Sequence, residues 1–209
     1  MKKLFTKNNF LYLITDRNIA RLSHMQIVRK ALSAGIRTIQ LREKNMSKKE
    51  LYTEAVSIQG IMRKYCATLI INDYVDIAKA VDAAGVHLGQ DDMPLEEARK
   101  VLGKRKVIGI STHSLAQAVH AEKYGADYIG FGPVFQTSTK DAGRPKAIDG
   151  LIKIRKQIHI PVVAIGGITW ENAHDVLESG ADACAIAAGI QSGDIKRNIK
   201  RYYDTLEGA

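Results

Sequence analysis

A chain of 209 residues holds one large domain or two small ones, and 45% hydrophobic with 25% charged residues is the composition of a soluble globular protein rather than a membrane or disordered one. Aromatic residues make up only 6%, so the core must be built from aliphatic side chains and alanine. The net charge of +9 fits a nucleic-acid partner, a merely solvated basic surface, or attraction of small polyanions; no basic run is interleaved with aromatics, which argues against nucleic acid.

The chain opens on Met1-Lys-Lys-Leu-Phe-Thr-Lys-Asn8, which lacks the apolar core of a secretory signal, and no later run approaches a membrane span. A cytoplasmic protein without membrane contact is expected. Residues 11–17 read as a strand that turns polar at its end, and a helical segment ending in Ala34-Gly35 follows. Residues 38–44 alternate with a period of two, placing Ile39 and Leu41 on one face and Gln40, Arg42 and Lys44 on the other. Ser47-Lys-Lys-Glu50 is a capping box, and Leu51, Ala55, Ile58 and Met62 form one stripe of a helix over residues 47–64. Residues 68–73 form a third strand, a helix carries Val75, Ala78 and Val81, and residues 85–92 form a fourth strand with an acidic exit. Pro94 sits in the first turn of the next helix.

The alternation continues. Strands are expected at residues 107–111, 128–135, 161–167 and 183–189, with Ser114 and Thr169 capping helices and the last helix over residues 195–206. Its inner face is Ile199, Tyr202, Tyr203 and Leu206. Cys66 and Cys184 have no neighbouring cysteine or ligand spacing, and are expected to be buried small hydrophobes in a reducing compartment.

Eight strand-then-helix units with no linker predict a closed (β/α)₈ TIM barrel occupying residues 1–209 as a single domain. In that architecture chemistry sits at the C-terminal ends of the strands. A strand between two helices belongs to a covered parallel sheet, so Gln40, Arg42 and Lys44 share either a protected anion pocket or a solvated strand end. Asp73 and Asp92 leave adjacent strands; they either share one Mg²⁺ completed by water and phosphate, or cap the helices that follow them. The small residues 165–168 and 186–190 suit either approach of backbone N–H groups to a phosphate or tight strand–helix packing. His87 lies mid-strand and reads as a satisfied histidine, and no Ser-His-Asp or Cys-His arrangement stands out.

Taken together, Leu13-Ile-Thr-Asp16, Gln40-Leu-Arg-Glu-Lys44, Asn72-Asp73, Gly85-Val-His-Leu-Gly-Gln-Asp-Asp92, Gly109-Ile-Ser111, Gly130-Phe-Gly-Pro-Val-Phe-Gln-Thr-Ser-Thr-Lys140 and Gly166-Gly-Ile168 resemble the thiamine-phosphate synthase family over nearly the whole chain. The resemblance implies a transferase that joins a hydroxymethylpyrimidine diphosphate to a thiazole phosphate, carboxylated or not, and releases diphosphate. It implies that Gln40, Leu41, Arg42, Glu43, Lys44, Asn72 and Lys140 serve the pyrimidine diphosphate, and that Asp73 and Asp92 hold Mg²⁺. Ser111 and Lys140 are then catalytic. Thr137, Ser138 and Thr139, with backbone at Gly167, Ala187 and Ala188, hold the thiazole phosphate. One departure is that Ala187-Ala188 stands where the family commonly has Ile-Ser, which removes a hydroxyl contact. Gly143 marks a loop beside Lys140 that could act as a lid. A related thiazole tautomerase is similar too, but carries a proton-transferring histidine where this chain has Pro133, and proline moves no protons. A non-catalytic phosphate-sensing barrel would not need both carboxylates and Lys140. Self-association into a homo-oligomer stays open.

Overall fold

Each strand is short and apolar, and each is followed by a helix whose buried stripe can cover it. The computed structural model describes residues 4–6, 9–137 and 147–207. The strands are β1 (Leu11–Ile14), β2 (Thr38–Leu41), β3 (Thr68–Asn72), β4 (Gly85–Leu88), β5 (Val107–Thr112), β6 (Tyr128–Phe131), β7 (Val162–Ile165) and β8 (Ala183–Ile186). They pair in parallel in chain order, and β8 closes onto β1 through the register Leu11–Cys184 to Leu13–Ile186. The expected (β/α)₈ barrel is what forms.

The helices are α1 (Arg17–Ala20), α2 (His24–Ser33), α3 (Lys48–Lys64), α4 (Val75–Ala80), α5 (Leu95–Leu102), α6 (Leu115–Lys123), α7 (Ala147–Arg155), α8 (Ala173–Glu178), α9 (Ala188–Gln191) and α10 (Ile195–Glu207). On α3 the Ser47–Glu50 capping box is present, and Leu51, Ala55, Ile58 and Met62 are the buried residues. Fully burying the Leu51, Ile58 or Met62 side chain stabilises by roughly 1.5–3 kcal/mol. The main core lies between strands and helices and includes Ile39, Leu41, Leu69, Ile71 and Ile129. A smaller core fills the barrel itself, with Tyr12, Ile70, Tyr128, Val163, Ala183 and Ala185 packed above Phe5. Phe5 meets the Tyr128 ring edge-on at 5.6 Å between centroids. No helix among the described residues is long and apolar enough to cross a membrane.

Several boundaries differ from the sequence reading, most of them at the C-terminal ends of strands. β4 ends at Leu88, β7 at Ile165 and β8 at Ile186. Beyond these points the chain leaves the ladder for the loops that carry the polar residues. Pro94 is the N-cap of α5, one position ahead of its first turn. Thr169 caps nothing with its side chain. Its backbone N–H donates to Asn172 Oδ1 at 2.9 Å, and α8 starts four residues later. Of the two cysteines, Cys184 is buried and its thiol is pushed up to about 12 by that burial. Cys66 is exposed, at the turn after α3 with a φ of +50°. A single cysteine after a helix carries no sequence signal for which way it points.

Candidate active site

The polar ends of the strands gather at one end of the barrel, around a cavity of about 490 Å³. Arg42, Ser111, Thr137, Gly167, Ala187 and Ala188 line it. They come from loops or strand ends far apart in sequence, and closing the barrel alone brings them together. Gly166 and Gly167 have φ of +98° and +64°, and a Cβ on either would run into residues 133–136. There Val134 N donates to Ile165 O and Phe135 N to Gly166 O, at 2.9 and 3.0 Å. Tight packing therefore requires these glycines, and their lining of the cavity follows from it. Ala187 is the N-cap of α9 and offers no side-chain cap bond, so Ala187 and Ala188 present only methyls and backbone.

A second group lies on the β2–β4 side, outside that cavity's lining. Arg42 links the two, because it also lines a neighbouring polar cleft of about 450 Å³ with Lys44, Arg17 and Arg21. Its guanidinium is 3.6 Å from Asp16 Oδ2. Lys44 Nζ is 3.9 Å from Asp73 Oδ2. Burial, and then the Asp92 carboxyl within hydrogen-bond reach, push Asp73 up to about 6. Neither carboxylate caps a helix. Asp73 has a φ of +64°, a conformation rare for a non-glycine residue, and α4 is capped at Tyr74 without a side-chain bond. Asp92 Oδ2 accepts from Gly89 N at 2.6 Å, holding its own loop.

The surplus negative charge of this pair is what a hard cation would neutralise. No third histidine, cysteine or acidic residue among the described residues joins it. The donor set therefore fits Mg²⁺ that keeps waters and phosphate oxygens as its other ligands. A raised acid pKa also fixes a sign. The folded state is favoured while Asp73 is protonated, and that contribution is lost as pH rises from the ordinary carboxylate range through about 6. In metal-free buffer, urea unfolding should show stability falling over that window by on the order of 1 kcal/mol after solvent screening, and Asp73→Asn should flatten the fall. An unchanged profile in that variant would remove Asp73 as its source.

The other sequence candidates are placed as follows. Gln40 is 2% exposed inside the barrel, where its Nε2 donates to Tyr12 Oη at 2.8 Å. Asn72, 8% exposed, ends β3. Leu41 is buried in the outer core, so only its backbone is available to a ligand. Glu43 turns to His24 Nε2 at 3.2 Å and accepts from the backbone N–H groups of Lys44 and Asn45 at 2.7 Å, bracing the loop. Ser138, Thr139, Lys140 and the Gly143 loop lie outside the described residues. Two residues had no role in the sequence reading. Asp16, 3.6 Å from Arg42, lines both cavities, and His113 lines the larger one with Nδ1 2.7 Å from Gly132 O. Asp16 is only the last residue of a matching motif, and the signal for His113 is no more than a polar side chain just past a strand's end.

Fold and site together define a (β/α)₈-barrel enzyme built to handle phosphorylated substrates. The sequence profile of a family described as thiamine monophosphate synthase matches residues 11–190. A thiamine-phosphate synthase from Methanosarcina barkeri is 45% identical over 98% of this chain and 94% of its own length. One from Clostridium novyi is 48% identical over 90% of this chain and 93% of its own. The structure of thiamine phosphate pyrophosphorylase from Pyrococcus furiosus superposes with a TM-score of 0.88, at 40% identity over 97% of this chain and 96% of that one. The chain belongs to the thiamine monophosphate synthase family.

Proposed function

We propose that the chain is a transferase that joins a hydroxymethylpyrimidine diphosphate to a thiazole phosphate, giving thiamine phosphate and diphosphate. The observation that carries this is the opposition of Arg42 and Lys44 to the Asp73–Asp92 pair beside a largely apolar cavity. A diphosphate bridged by a cation needs that arrangement: carboxylates on one side, a guanidinium and an ammonium on the other.

Arg42 and Lys44 bind the diphosphate, together with Gln40, Asn72 and Lys140. Asp73 and Asp92 would hold Mg²⁺, and the bound ion would supply charge neutralisation to the diphosphate. Thr137, Ser138 and Thr139, with backbone N–H groups at Gly167, Ala187 and Ala188, hold the thiazole phosphate. Ser111 stands at the reacting centre. The carbon–oxygen bond to diphosphate breaks first, its electron pair leaving with the diphosphate. The aminopyrimidine delocalises the resulting methylene cation, and the thiazole nitrogen lone pair then forms the new carbon–nitrogen bond. No side-chain nucleophile is required, and charge stabilisation carries the step. Pro133, lining the cavity, has no proton to transfer, which sets aside the tautomerase reading.

The direct test is incubation of the purified protein with pyrimidine diphosphate, thiazole phosphate and Mg²⁺. Thiamine phosphate should accumulate, and its absence together with isomerisation of a thiazole carboxylate phosphate would overturn the assignment. Within the site, Arg42→Ala should weaken pyrimidine diphosphate binding by about 1.5–3 kcal/mol, the range for hydrogen bonds to charged groups. Thiazole phosphate affinity should barely change. Equal losses by calorimetry would make Arg42 a structural residue tied to Asp16.

A further inference from the structure

The barrel interior holds a continuous polar chain whose middle members, Tyr12, Tyr128 and His87, have no part in the reaction as described. Gln40 Nε2 donates to Tyr12 Oη at 2.8 Å, and Tyr12 Oη lies 2.9 Å from Tyr128 Oη. Tyr128 Oη lies 2.9 Å from His87 Nδ1, and His87 Nε2 lies 2.9 Å from Ser111 Oγ. The chain thus runs from β2 through β1, β6 and β4 to β5, and ends on the serine that lines the cavity. Space for it is built in: a Cβ at Gly109 would overlap the Tyr128 ring, and one at Gly130 would come within 3.1 Å of His87 Cε1. Tyr12 and Tyr128 are fully buried, and burial together with the neighbouring phenol holds the Tyr128 hydroxyl in its neutral form, far above its ordinary pKa.

Counting protons gives the chain a direction. Each neutral phenol has one proton to donate and can also accept. Tyr12 accepts from Gln40, so its own proton goes to Tyr128 Oη. The Tyr128 proton then goes to His87 Nδ1. An imidazole that accepts at Nδ1 carries its proton on Nε2 and donates it to Ser111 Oγ. The serine's own proton is left to point into the cavity. The opposite direction would leave the buried Tyr12 hydroxyl proton without this partner, which is costly in a dry interior.

We infer that Tyr12, Tyr128 and His87 are positioning residues: the phenol pair fixes the histidine tautomer, and the histidine turns the Ser111 hydroxyl into a donor toward the bound pyrimidine. This rests on the proposed function, in which Ser111 stands at the reacting centre. It differs from that reading in giving a role to groups that touch neither substrate.

The test is a double-mutant cycle with an independent spectroscopic readout. Tyr128→Phe removes one oxygen and keeps the ring. It should lower kcat about tenfold, the scale of one lost hydrogen bond, with KM for both substrates within about twofold. In a Ser111→Ala background the same substitution should have no further effect. Nitrogen NMR of the full-length protein should find the His87 proton on Nε2, and Tyr128→Phe should shift the population toward Nδ1–H. Thermal unfolding of each variant separates loss of fold from loss of orientation. Equal factors in both backgrounds, a neutral Ser111→Ala, or an Nδ1–H histidine in the wild type would each overturn the inference. Thiamine phosphate formation by the wild-type protein would still stand in all three cases, whereas its absence would remove the underlying reading instead.

Discussion

Asp92→Asn should lower kcat/KM by about 10²–10³-fold, the cost of removing one group that stabilises charge in a transition state, while the fold survives. The reason for survival is local. Asp92 Oδ2 accepts from Gly89 N at 2.6 Å, and an amide oxygen can still accept that bond. What the amide lacks is the charge that, with Asp73, attracts Mg²⁺. Steady-state kinetics across a Mg²⁺ titration should therefore show the variant requiring much more metal, and EDTA should reduce the wild-type protein to the same low rate. Full activity in EDTA, or wild-type rates in the variant, would sink the metal assignment. Because Asp73 is held near 6 largely by burial and by Asp92, removing one charge should also ease the other's ionisation. The catalytic loss must then come from metal binding and not from a worse-ionised partner.

Leu41→Ala should cost about 2–5 kcal/mol of stability, the range for truncating a buried leucine, and leave pyrimidine diphosphate affinity unchanged at temperatures where the variant is folded. Leu41 sits inside the motif that carries Gln40, Arg42 and Lys44, and by resemblance it belongs to the ligand's surroundings. Its side chain is 1% exposed, however, and packs in the core between strands and helices. Urea unfolding paired with calorimetry reads both quantities. Affinity lost with stability kept would place that side chain against the ligand and contradict the packing.

The sequence by itself determined the alternation of eight strands with helices, and so the closed barrel, because hydrophobic period is a local property and parallel strands must be covered by their crossovers. It determined α3 down to its capping box and buried stripe, since the Ser47 and Glu50 bonds and the spacing of Leu51, Ala55, Ile58 and Met62 are set within a few residues. It also marked Arg42, Lys44, Asp73 and Asp92, because strand ends of one barrel face one site. Tertiary structure alone decided which of these groups meet. The Lys44–Asp73 and Arg42–Asp16 pairs bridge neighbouring strands, and Gln40 joins Tyr12 in the interior instead of standing beside Arg42. It decided that Asp73 and Asp92 do not cap helices, a matter of backbone angles at two loops that no residue type dictates. It decided that Glu43 braces its loop through His24, nineteen residues away. The chain from Gln40 to Ser111 was the least legible feature, with tyrosine and histidine at mid-strand positions that read as ordinary core. Each of its links joins residues on different strands, at distances fixed by barrel closure, and a local pattern carries no information about which side chains that closure brings together.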